Sequence, residues 1–292
     1  MTDLNKMYEF DLNDRAFNAI QNGTKRVEIR VTKLDGSFDY SILKENDLIR
    51  FTNSKNKRIK CRIVKINWYQ TIEELLTVEG TKYTLSSTDD FNEGVRSINS
   101  FEGYTEGMKK NGVYAIHLEY LGIDKYLLEE FKCVSENIDL DYYIQFRESV
   151  RSKMEIPEWL GEIPKEGLEE MLSIGGKIWM YYKGDTPVCT WMFIPAGEDA
   201  KQDLEIEGID YNLMGDIGPV FVNFDYLGNG LMHQMLIKYD EYLKSIGYKY
   251  VMTTVHPDNI FSSNNMKKYG MKKVSQKIFK RGLRDIYFKE LD

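Results

Sequence analysis

The sequence contains 292 residues, of which 42% are hydrophobic and 29% are charged, the proportions of a soluble globular protein. The length suits two domains of ordinary size, and no apolar run approaches the roughly 18 residues that a membrane helix needs. Residues 1–121 carry 18 Lys and Arg against 18 Asp and Glu, while the rest carries 21 against 28, which makes the C-terminal half a poor non-specific binder of polyanions.

The first residues show no basic segment followed by an apolar stretch, so we expect no secretory signal and a cytoplasmic location. The cysteines Cys61, Cys133 and Cys189 lie far apart with no C-x-x-C pair, and the three histidines form no H-E-x-x-H pattern. These spacings argue against a disulfide framework and a zinc site. We therefore expect no metal, no membrane partner, and a monomer or homodimer.

The N-terminal half is predicted to be a small β-rich module. An amphipathic helix over residues 14–21 ends at an Asn-Gly pair, and a strand with alternating apolar and charged residues covers 27–31. Residues 59–68 form a second strand in which the apolar phase changes after Ile63, which indicates a bulge. A last strand over 113–121 places Ile116 and Leu118 on one face.

Four segments of this half resemble the ASCH domain, a β-barrel module of the PUA-like class. The sequence GTKRVEIR at 23–30 matches the family pattern G-x-K-x-x-E-x-R. NDLIRF at 46–51, YQTIEELL at 69–76 and NGV at 111–113 follow in the family's order. The resemblance implies an ASCH domain over residues 1–122.

The resemblance further implies a cleft in which Lys25, Glu28 and Arg30 bind RNA, a nucleoside or the acceptor of a linked reaction. Lys and Arg hold a phosphate or a base edge, and a carboxylate accepts from an exocyclic amine. The alternative is a solvated strand face whose Lys and Glu only pair with each other. Stacking partners would be Trp68, Tyr69 and Tyr104. Some members of the wider family hydrolyse small amides, but no nucleophile is fixed here, and we interpret the module as a binder.

The C-terminal half mixes helices and strands. An amphipathic segment covers 141–153, a hairpin covers 178–194 around a Lys-Gly-Asp turn, and a strand covers 217–223. Gly228 and Gly230 then precede a helix over 231–246. A glycine turn between a strand and a helix N-terminus is either a tight connection or a site for a phosphate, because bare backbone lets an anion approach the free N–H groups.

The residues after this helix resemble the GNAT acyltransferase superfamily. An apolar strand over 248–255 is followed by HPDNIFSSNNMKKYGM at 256–271, and residues 279–291 look like the family's last hairpin. The resemblance implies a mixed α/β domain over 127–292 that uses acetyl-CoA as co-substrate. The whole chain is thus predicted to be a mixed α+β and α/β protein, a PUA-like barrel followed by a GNAT domain.

The same resemblance assigns residues to the binding of acetyl-CoA. They comprise a strand end, the glycine turn, and the start of the following short helix: Phe221, Val222, Leu227, Gly228, Asn229, Gly230, Leu231, Met232, Asn259, Ser262 and Ser263. The family's Q/R-x-x-G-x-G/A loop is only partly kept, because Leu227 and Met232 replace a polar and a small residue. Backbone N–H groups do most of the phosphate binding, so we expect the site to function, with weakened affinity.

Catalysis needs a base for the acceptor ammonium and an acid for the leaving thiolate. The family position for the base falls on Asp216, which is otherwise an ordinary turn residue. The usual tyrosine acid is replaced by Met266, so Tyr226, Tyr269 or solvent takes that role. His256, at a strand end beside a proline, is interpreted mainly as a capping or packing residue.

Three functions remain open. The first is an N-acetyltransferase that acetylates a primary amine of a small molecule or protein, with the ASCH module binding RNA, a nucleoside or the acceptor. The second is an RNA-associated version, and the third is a non-catalytic acyl-CoA-binding regulator. Residues 155–165 and the acidic stretch 198–210 are expected to form the acceptor entrance, and an acidic entrance suits a cationic amine.

Overall fold

A computed structural model describes residues 5–197, 199–204 and 206–291. The chain forms two compact units, the first ending at Lys125 and the second beginning at Tyr126. Within the described ranges, no helix has the length and apolar character that crossing a membrane requires.

The first unit is built on a five-stranded half-barrel sheet in the order β1-β3-β4-β5-β2. Strand β1 runs parallel to β3, and the other neighbours are antiparallel. The strands are β1 (Met7–Asp11), β2 (Val27–Arg30), β3 (Leu48–Thr52), β4 (Arg58–Tyr69) and β5 (Val113–Ile123). The helices are α1 (Asp14–Gln21), α2 (Ile72–Glu79), α3 (Phe91–Asn99) and α4 (Tyr104–Asn111).

Two apolar clusters hold this sheet and its helices together. One contains Phe17 and Ile20 of α1 with Ile49, Ile59 and other strand residues. The other joins β2 and β5 to α2, α3 and α4. Helix α1 begins where it was predicted because the side chain of Asn13 accepts a hydrogen bond from the backbone N–H of Ala16.

The predicted bulge in β4 is confirmed, since the register with β5 shifts between Ile63 and Lys65. The apolar residues that follow it do not form a buried face. Val64 is 53% exposed and Trp68 is 52% exposed, whereas Tyr69 is buried. The extra residue therefore turns the later part of β4 outward.

The second unit is built on a sheet in the order β12-β13-β11-β9-β8-β7-β6, with β10 paired to β8. Its strands are β6 (Lys132–Val134), β7 (Lys177–Lys183), β8 (Thr186–Pro195), β9 (Met214–Ile217), β10 (Phe221–Val222), β11 (Tyr250–Val255), β12 (Lys272–Phe279) and β13 (Gly282–Glu290). Its helices are α5 (Leu140–Arg151), α6 (Lys165–Ser173), α7 (Asp199–Leu204), α8 (Leu231–Ser245) and α9 (Ile260–Lys268).

Helix α8 packs on the sheet through a large cluster of aromatic and aliphatic side chains. Trp191 of β8 stacks on Trp179 at 3.7 Å between ring centroids and meets Tyr239 of α8 edge-on. The hydroxyl of Tyr239 donates to the carbonyl oxygen of Asp216 at 2.8 Å. This packing fixes the middle of α8 relative to the end of β9.

The strand predicted over 217–223 is two short strands. Gly218 and Pro219 interrupt it, because proline has no N–H for a ladder and a Cβ on Gly218 would lie 2.9 Å from Met192. The N–H of Gly218 donates to the carbonyl of Met192, and the chain rejoins β8 at Phe221. The break changes the direction of the chain at one place in the sheet.

Candidate functional site

The strands β9 and β11 form a fork at the centre of the second unit. They pair in parallel from Met214 with Tyr250 to Asp216 with Met252. Beyond that point β10 pairs with β8, and the carbonyl of Ile217 accepts from the side-chain hydroxyl of Thr253 at 3.0 Å. Two neighbouring strands therefore part immediately after Asp216.

The backbone of Val222 faces this opening. Phe221 lies opposite Thr190, and the N–H of Asn223 donates to the carbonyl of Val188 at 2.8 Å. In an antiparallel pair only alternate residues direct their backbone groups at the partner strand. The N–H and C=O of Val222 thus point away from β8, where an extended amide-containing ligand can pair with them. The predicted residue Phe221 instead pairs with β8 and packs its ring on Tyr143 and Phe146.

The glycine turn sits at the N-terminus of α8. Gly230 is the N-terminal cap with φ of 73°, no side chain caps the helix, and its first turn contains no acidic residue. The N–H groups of Leu231, Met232 and His233 have no intrahelical acceptor and carry the positive end of the helix dipole. These features suit a phosphate group. Gly228 also has positive φ, of 85°, as this close turn requires.

Asn229 stabilises the turn from inside. Its side chain is 5% exposed and donates to the carbonyl of Tyr226 at 2.8 Å. Its carboxamide oxygen accepts from the N–H of Tyr126. Leu227, at 42% exposure, lies on the surface of the turn. Asn229 therefore shapes the backbone of the glycine turn from inside.

Sequence reasoning missed His233 and Lys268 beside this turn. The Nδ1 atom of His233 is buried without a hydrogen-bond partner among the described residues. Burial, and then the charge of Lys268 at the end of α9, lower the pKa of His233. A positive charge therefore lies near the phosphate-type site although the family's basic loop residue is absent. Only the spatial proximity of α8 and α9 reveals it.

Helix α9 places the predicted residues Asn259, Ser262 and Ser263 on the β11 side of the fork. The side chain of Asn259 caps α9 by accepting from the N–H of Ser262 at 3.0 Å, which leaves its amide donor available. The hydroxyl of Ser263 lies 2.6 Å from the hydroxyl of Tyr287. Sequence reasoning missed Tyr287, which is buried in the core.

Asp216 lies at the point where the strands part. Burial raises the pKa of Asp216 to about 7, with Arg281 opposing the increase and Asp203 adding to it. The carboxylate of Asp216 forms no ion pair with a Lys, Arg or His side chain in the described part of the chain. A carboxyl group with a pKa near neutrality is suited to accept a proton at physiological pH.

The tyrosines predicted as acids are engaged elsewhere. Tyr226 is 4% exposed and packs its ring on Tyr126 and Phe131. The hydroxyl of Tyr269 donates to Asp240 at 2.8 Å, and burial raises the pKa of Tyr269. Their catalytic role stays a prediction.

Met266, which replaces the usual tyrosine, has a packing role, and His256 matches its interpretation as a capping residue. Met266 is 2% exposed and belongs to the core under α8. The Nδ1 atom of His256 accepts from the N–H of Asp258 at 3.2 Å, so this histidine caps the turn before α9.

The expected acceptor entrance is only partly acidic. Of its acidic residues, Glu198 and Glu205 lie outside the described residues. Asp203 pairs with Lys277 at 3.4 Å. Arg281 and Arg284, which sequence reasoning missed, lie against residues 158–161. Basic residues of the β12–β13 hairpin therefore lie beside residues 158–161, and the acidic acceptor entrance stays a prediction.

The first unit contains its own cavity, of about 260 Å³. It lies between α1, β2, the segment before α3, and the start of α4. Its lining includes Lys25, Glu28, Arg30, Thr84 and Tyr104. The structure therefore brings the three predicted side chains of the G-x-K-x-x-E-x-R pattern together at one cavity.

These three side chains form a buried ion cluster. One oxygen of Glu28 lies 3.4 Å from the Nζ of Lys25, and the other lies 3.0 Å from the Nε of Arg30. Lys25 also donates to the carbonyl of Thr84, and Arg30 donates to the carbonyl of Asp11 at 3.0 Å. Burial lowers the pKa of Lys25. One carboxylate between two cations leaves a net positive charge at the cavity wall.

Two more residues complete this wall. Thr84 is fully buried, and its hydroxyl has no hydrogen-bond partner among the described residues. Of the predicted stacking residues, Tyr104 lines the cavity, where it meets Phe101 edge-on at 5.4 Å. Trp68 instead donates to the carbonyl of Asn111, and Tyr69 donates to Glu79. A ligand with an anionic group, a hydrogen-bonding edge and a flat face fits this set.

No group of three or more His, Cys, Asp or Glu in the described ranges is arranged to hold a metal ion. Both sites are built from backbone groups, charged side chains and hydroxyls.

Comparison with known families decides the identity of the first unit. The model of the ASCH domain matches residues 11–122. This part of the chain is an ASCH domain. The predicted mixed fold is confirmed, with the half-barrel sheet of the ASCH domain followed by a second unit whose helices pack on a mixed β-sheet.

Solved structures resemble separate parts of the chain. A Pyrococcus furiosus protein solved by NMR is 27% identical, with a TM-score of 0.32, covering 39% of this chain and 97% of its own. An N-acetyltransferase from Staphylococcus aureus is 12% identical, with a TM-score of 0.41, covering 55% and 99%. A GNAT family acetyltransferase from Elizabethkingia anophelis with acetyl-CoA bound is 11% identical, with a TM-score of 0.38, covering 55% and 98%. No curated protein matches the sequence.

Proposed function

We propose that the GNAT-like unit transfers an acetyl group from acetyl-CoA to a primary amine. The observation that carries this proposal is the fork after Asp216, with an outward-facing backbone at Val222 on one side and the uncapped helix α8 next to it. Such a fork accepts an extended ligand with amide groups at one end and phosphates at the other. Acetyl-CoA has that chemistry.

Acetyl-CoA would be held mainly by backbone groups. The N–H and C=O of Val222 would pair with the amides of its pantetheine arm, and the free amide donor of Asn259 and the hydroxyl of Ser262 would line the other side. The N–H groups of residues 231–233 would bind the pyrophosphate, since they are unpaired and lie at the positive end of the helix dipole. Lys268 adds a positive charge near them, and the lowered pKa of His233 keeps its imidazole neutral at physiological pH.

Asp216 would act as the general base. Its carboxylate takes a proton from the acceptor ammonium, and the free amine forms a C–N bond with the thioester carbonyl. The nitrogen then loses its second proton to solvent, and the C–S bond breaks to give the amide and the thiolate. A pKa of about 7 leaves about half of the Asp216 carboxyl ionised at neutral pH, which suits a base that must also release its proton. Because Tyr226 and Tyr269 are packed or hydrogen-bonded elsewhere, we assign protonation of the thiolate to solvent.

Calorimetry with acetyl-CoA tests the donor site. The Gly230→Glu variant places a negative side chain in open space at the turn, since no atom lies within 4 Å of a Cβ there. Gly230→Asn is the matched control, because asparagine tolerates positive φ without adding charge. We expect micromolar binding by the wild type, loss in Gly230→Glu and retention in Gly230→Asn. Equal binding by all three would refute the phosphate turn.

Release of free thiol from acetyl-CoA in the presence of amines separates an enzyme from a regulator. An acyl-CoA-binding regulator would bind the donor and release no thiol above the rate of spontaneous hydrolysis. An acetyltransferase would release thiol in proportion to added amine, with an acetylated product visible by mass spectrometry.

We further propose that the ASCH cavity binds RNA or a nucleoside. The observation that favours this is the net positive cluster of Lys25, Glu28 and Arg30 beside the unpaired hydroxyl of Thr84 and the ring of Tyr104. Binding of single-stranded RNA should weaken as salt rises, because each phosphate contact releases a counterion. Lys25→Met should reduce it, with exposed Lys110→Met as the control. Affinity for RNA that is equal in both variants would place the binding outside this cavity.

A further inference from the structure

Two arginines lie at the entrance to the fork, on the hairpin between β12 and β13. One terminal nitrogen of Arg281 donates to the hydroxyl of Thr254 at 2.7 Å. The other lies 3.5 Å from the position that a Cβ on Gly161 would occupy. Arg284 donates to the carbonyl of Glu158 at 3.3 Å. Both guanidinium groups therefore border residues 158–161, in the segment expected to form the acceptor entrance.

Neither arginine has a carboxylate partner in the described chain. Arg281 bonds a hydroxyl, and Arg284 bonds only the carbonyls of Glu158 and Leu283. Arg284 is nevertheless 4% exposed, and its pKa is lowered by burial and by Arg281. Buried charges are normally paired because their desolvation is costly. An unpaired guanidinium beside a second one is a place where a ligand can supply the missing anion.

A further donor in the same segment is unsatisfied. The indole nitrogen of Trp159 is buried without an acceptor among the described residues. Its ring meets Phe261 of α9 at 6.5 Å. The segment and the hairpin thus offer N–H donors that lack an acidic partner, which selects for a ligand rich in acceptor oxygens.

Arg281 lies near Asp216, the proposed general base. Arg281 acts on the carboxyl of Asp216, and its partner Thr254 stands on β11 two residues beyond Met252, where the fork opens. An anion held by Arg281 would therefore lie close to an amine that gives its proton to Asp216. The acidic character expected for this entrance is reduced further by the pairing of Asp203 with Lys277.

We propose that the acceptor is an amine that carries a carboxylate or phosphate group close to its amino group, and that Arg281 binds this anion with Arg284 behind it. This inference rests on the proposed acetyl transfer and names the class of acceptor. Arg281 is a specificity residue that contacts the acceptor, and Arg284 maintains the positive potential without direct contact.

Binding of inorganic phosphate and of acetate tests the anion site without turnover. We expect both anions to raise the melting temperature of the wild type more than that of Arg281→Gln at matched ionic strength. Lys280→Gln is the matched control, because Lys280 is the exposed neighbour of Arg281 and loses the same charge. Identical responses of all three proteins to both anions would overturn the anion site.

Amine pairs test specificity and separate the two anion types. Thiol release from acetyl-CoA is compared for tyrosine against tyramine and for phosphoethanolamine against ethanolamine. We expect kcat/KM for the member of one pair that carries the carboxylate or phosphate to exceed that of the member without it by about tenfold to a hundredfold, the range of one charge-assisted hydrogen bond pair. The Arg281→Gln variant should lose this preference, mainly because KM rises for the amine that carries the anionic group. The Arg281→Lys variant should keep part of the preference.

The outcomes distinguish the two proposals. If the wild type acetylates amines that lack an anionic group at least as well as their partners that carry one, the proposed acceptor class is wrong and acetyl transfer stands. If acetyl-CoA neither binds nor releases thiol with any amine, acetyl transfer is wrong, and the titration with phosphate and acetate still decides whether Arg281 forms an anion site.

Discussion

The two units each place a carboxylate beside arginine, and the difference between the two arrangements defines what each can do. In the ASCH domain, Glu28 is in direct contact with both Lys25 and Arg30. In the second unit, Asp216 has no ion pair within the described ranges, and Arg281 acts on it without contact. The first carboxylate serves as a counter-ion, and the second is available to exchange a proton.

This difference has a local structural cause. Glu28 lies in the middle of the short strand β2, between two residues of its own segment that reach the same side. Asp216 lies at the last position of β9 that pairs with β11, where these two strands part. A carboxylate held by two cations is stabilised as an anion, whereas one at the mouth of a fork is desolvated without compensation.

The largest expected effect follows from removing the free carboxylate. Asp216→Asn should lower kcat by about 10²-fold to 10⁴-fold, the usual contribution of a general base. Affinity for acetyl-CoA should stay unchanged in calorimetry, because the proposed donor contacts are backbone groups of Val222 and residues 231–233 and do not involve the Asp216 carboxylate. Asp185→Asn, in the exposed turn between β7 and β8, is the control. Full activity of Asp216→Asn would mean that another group is the general base.

The next effect concerns the paired carboxylate. Glu28→Gln leaves Lys25 and Arg30 buried without a counter-ion, so the ASCH domain should lose about 3 kcal/mol of its free energy of unfolding. Glu119→Gln is the control, because Glu119 pairs with half-exposed Arg62 and such pairs are worth about 1 kcal/mol or less. Urea unfolding followed by circular dichroism measures both. Equal losses in the two variants would mean that the buried cluster does not stabilise the fold.

The contrast between groups held by their own segment and groups placed by folding also explains which features of the fold the sequence predicts. Helix α1 and the strands β2 and β5 were predicted correctly, because their apolar periods and their Asn and Gly signals are local. The bulge in β4 was predicted from a change of phase. That Val64 and Trp68 face outward was not, because the side chosen after a bulge depends on which elements cover the sheet.

The two candidate sites also differ in how far the sequence predicts them. Lys25, Glu28 and Arg30 lie within six residues, so one motif locates the cluster. The fork requires the pairing of β9 with β11 and the interruption at Gly218 and Pro219. Arg281, His233 and Thr84 join their sites only through folding, since no local pattern connects Arg281 with Asp216, 65 positions away.

A smaller effect should appear in the pH profile. Arg281 lowers the pKa of Asp216, and Asp203 raises it. Arg281→Gln should therefore move the acidic limb of kcat/KM to higher pH, and Asp203→Asn should move it to lower pH. Lys280→Gln should leave the limb in place. The profile is recorded with an amine that lacks an anionic group, so that loss of acceptor binding does not mask the shift. If the acidic limb moved in the same direction in both variants, the assignment of this limb to Asp216 would be wrong.

The smallest effect is on stability and depends on pH. The pKa of Asp216 is about 7 in the folded protein, above its ordinary value of 3.8, so the folded state binds the proton more tightly than the unfolded state. The stability that this proton provides is complete below pH 4 and is lost as pH rises through 7. Asp216→Asn has no such loss, so it should match the wild type near pH 4 and exceed it by about 1 to 2 kcal/mol at pH 8, after allowance for the partial exposure of the group. Melting temperatures measured from pH 4.5 to 8 should diverge in that direction. If the melting temperatures of the two proteins stay parallel across this pH range, the Asp216 carboxyl is solvated in the folded protein and titrates as it does in the unfolded chain.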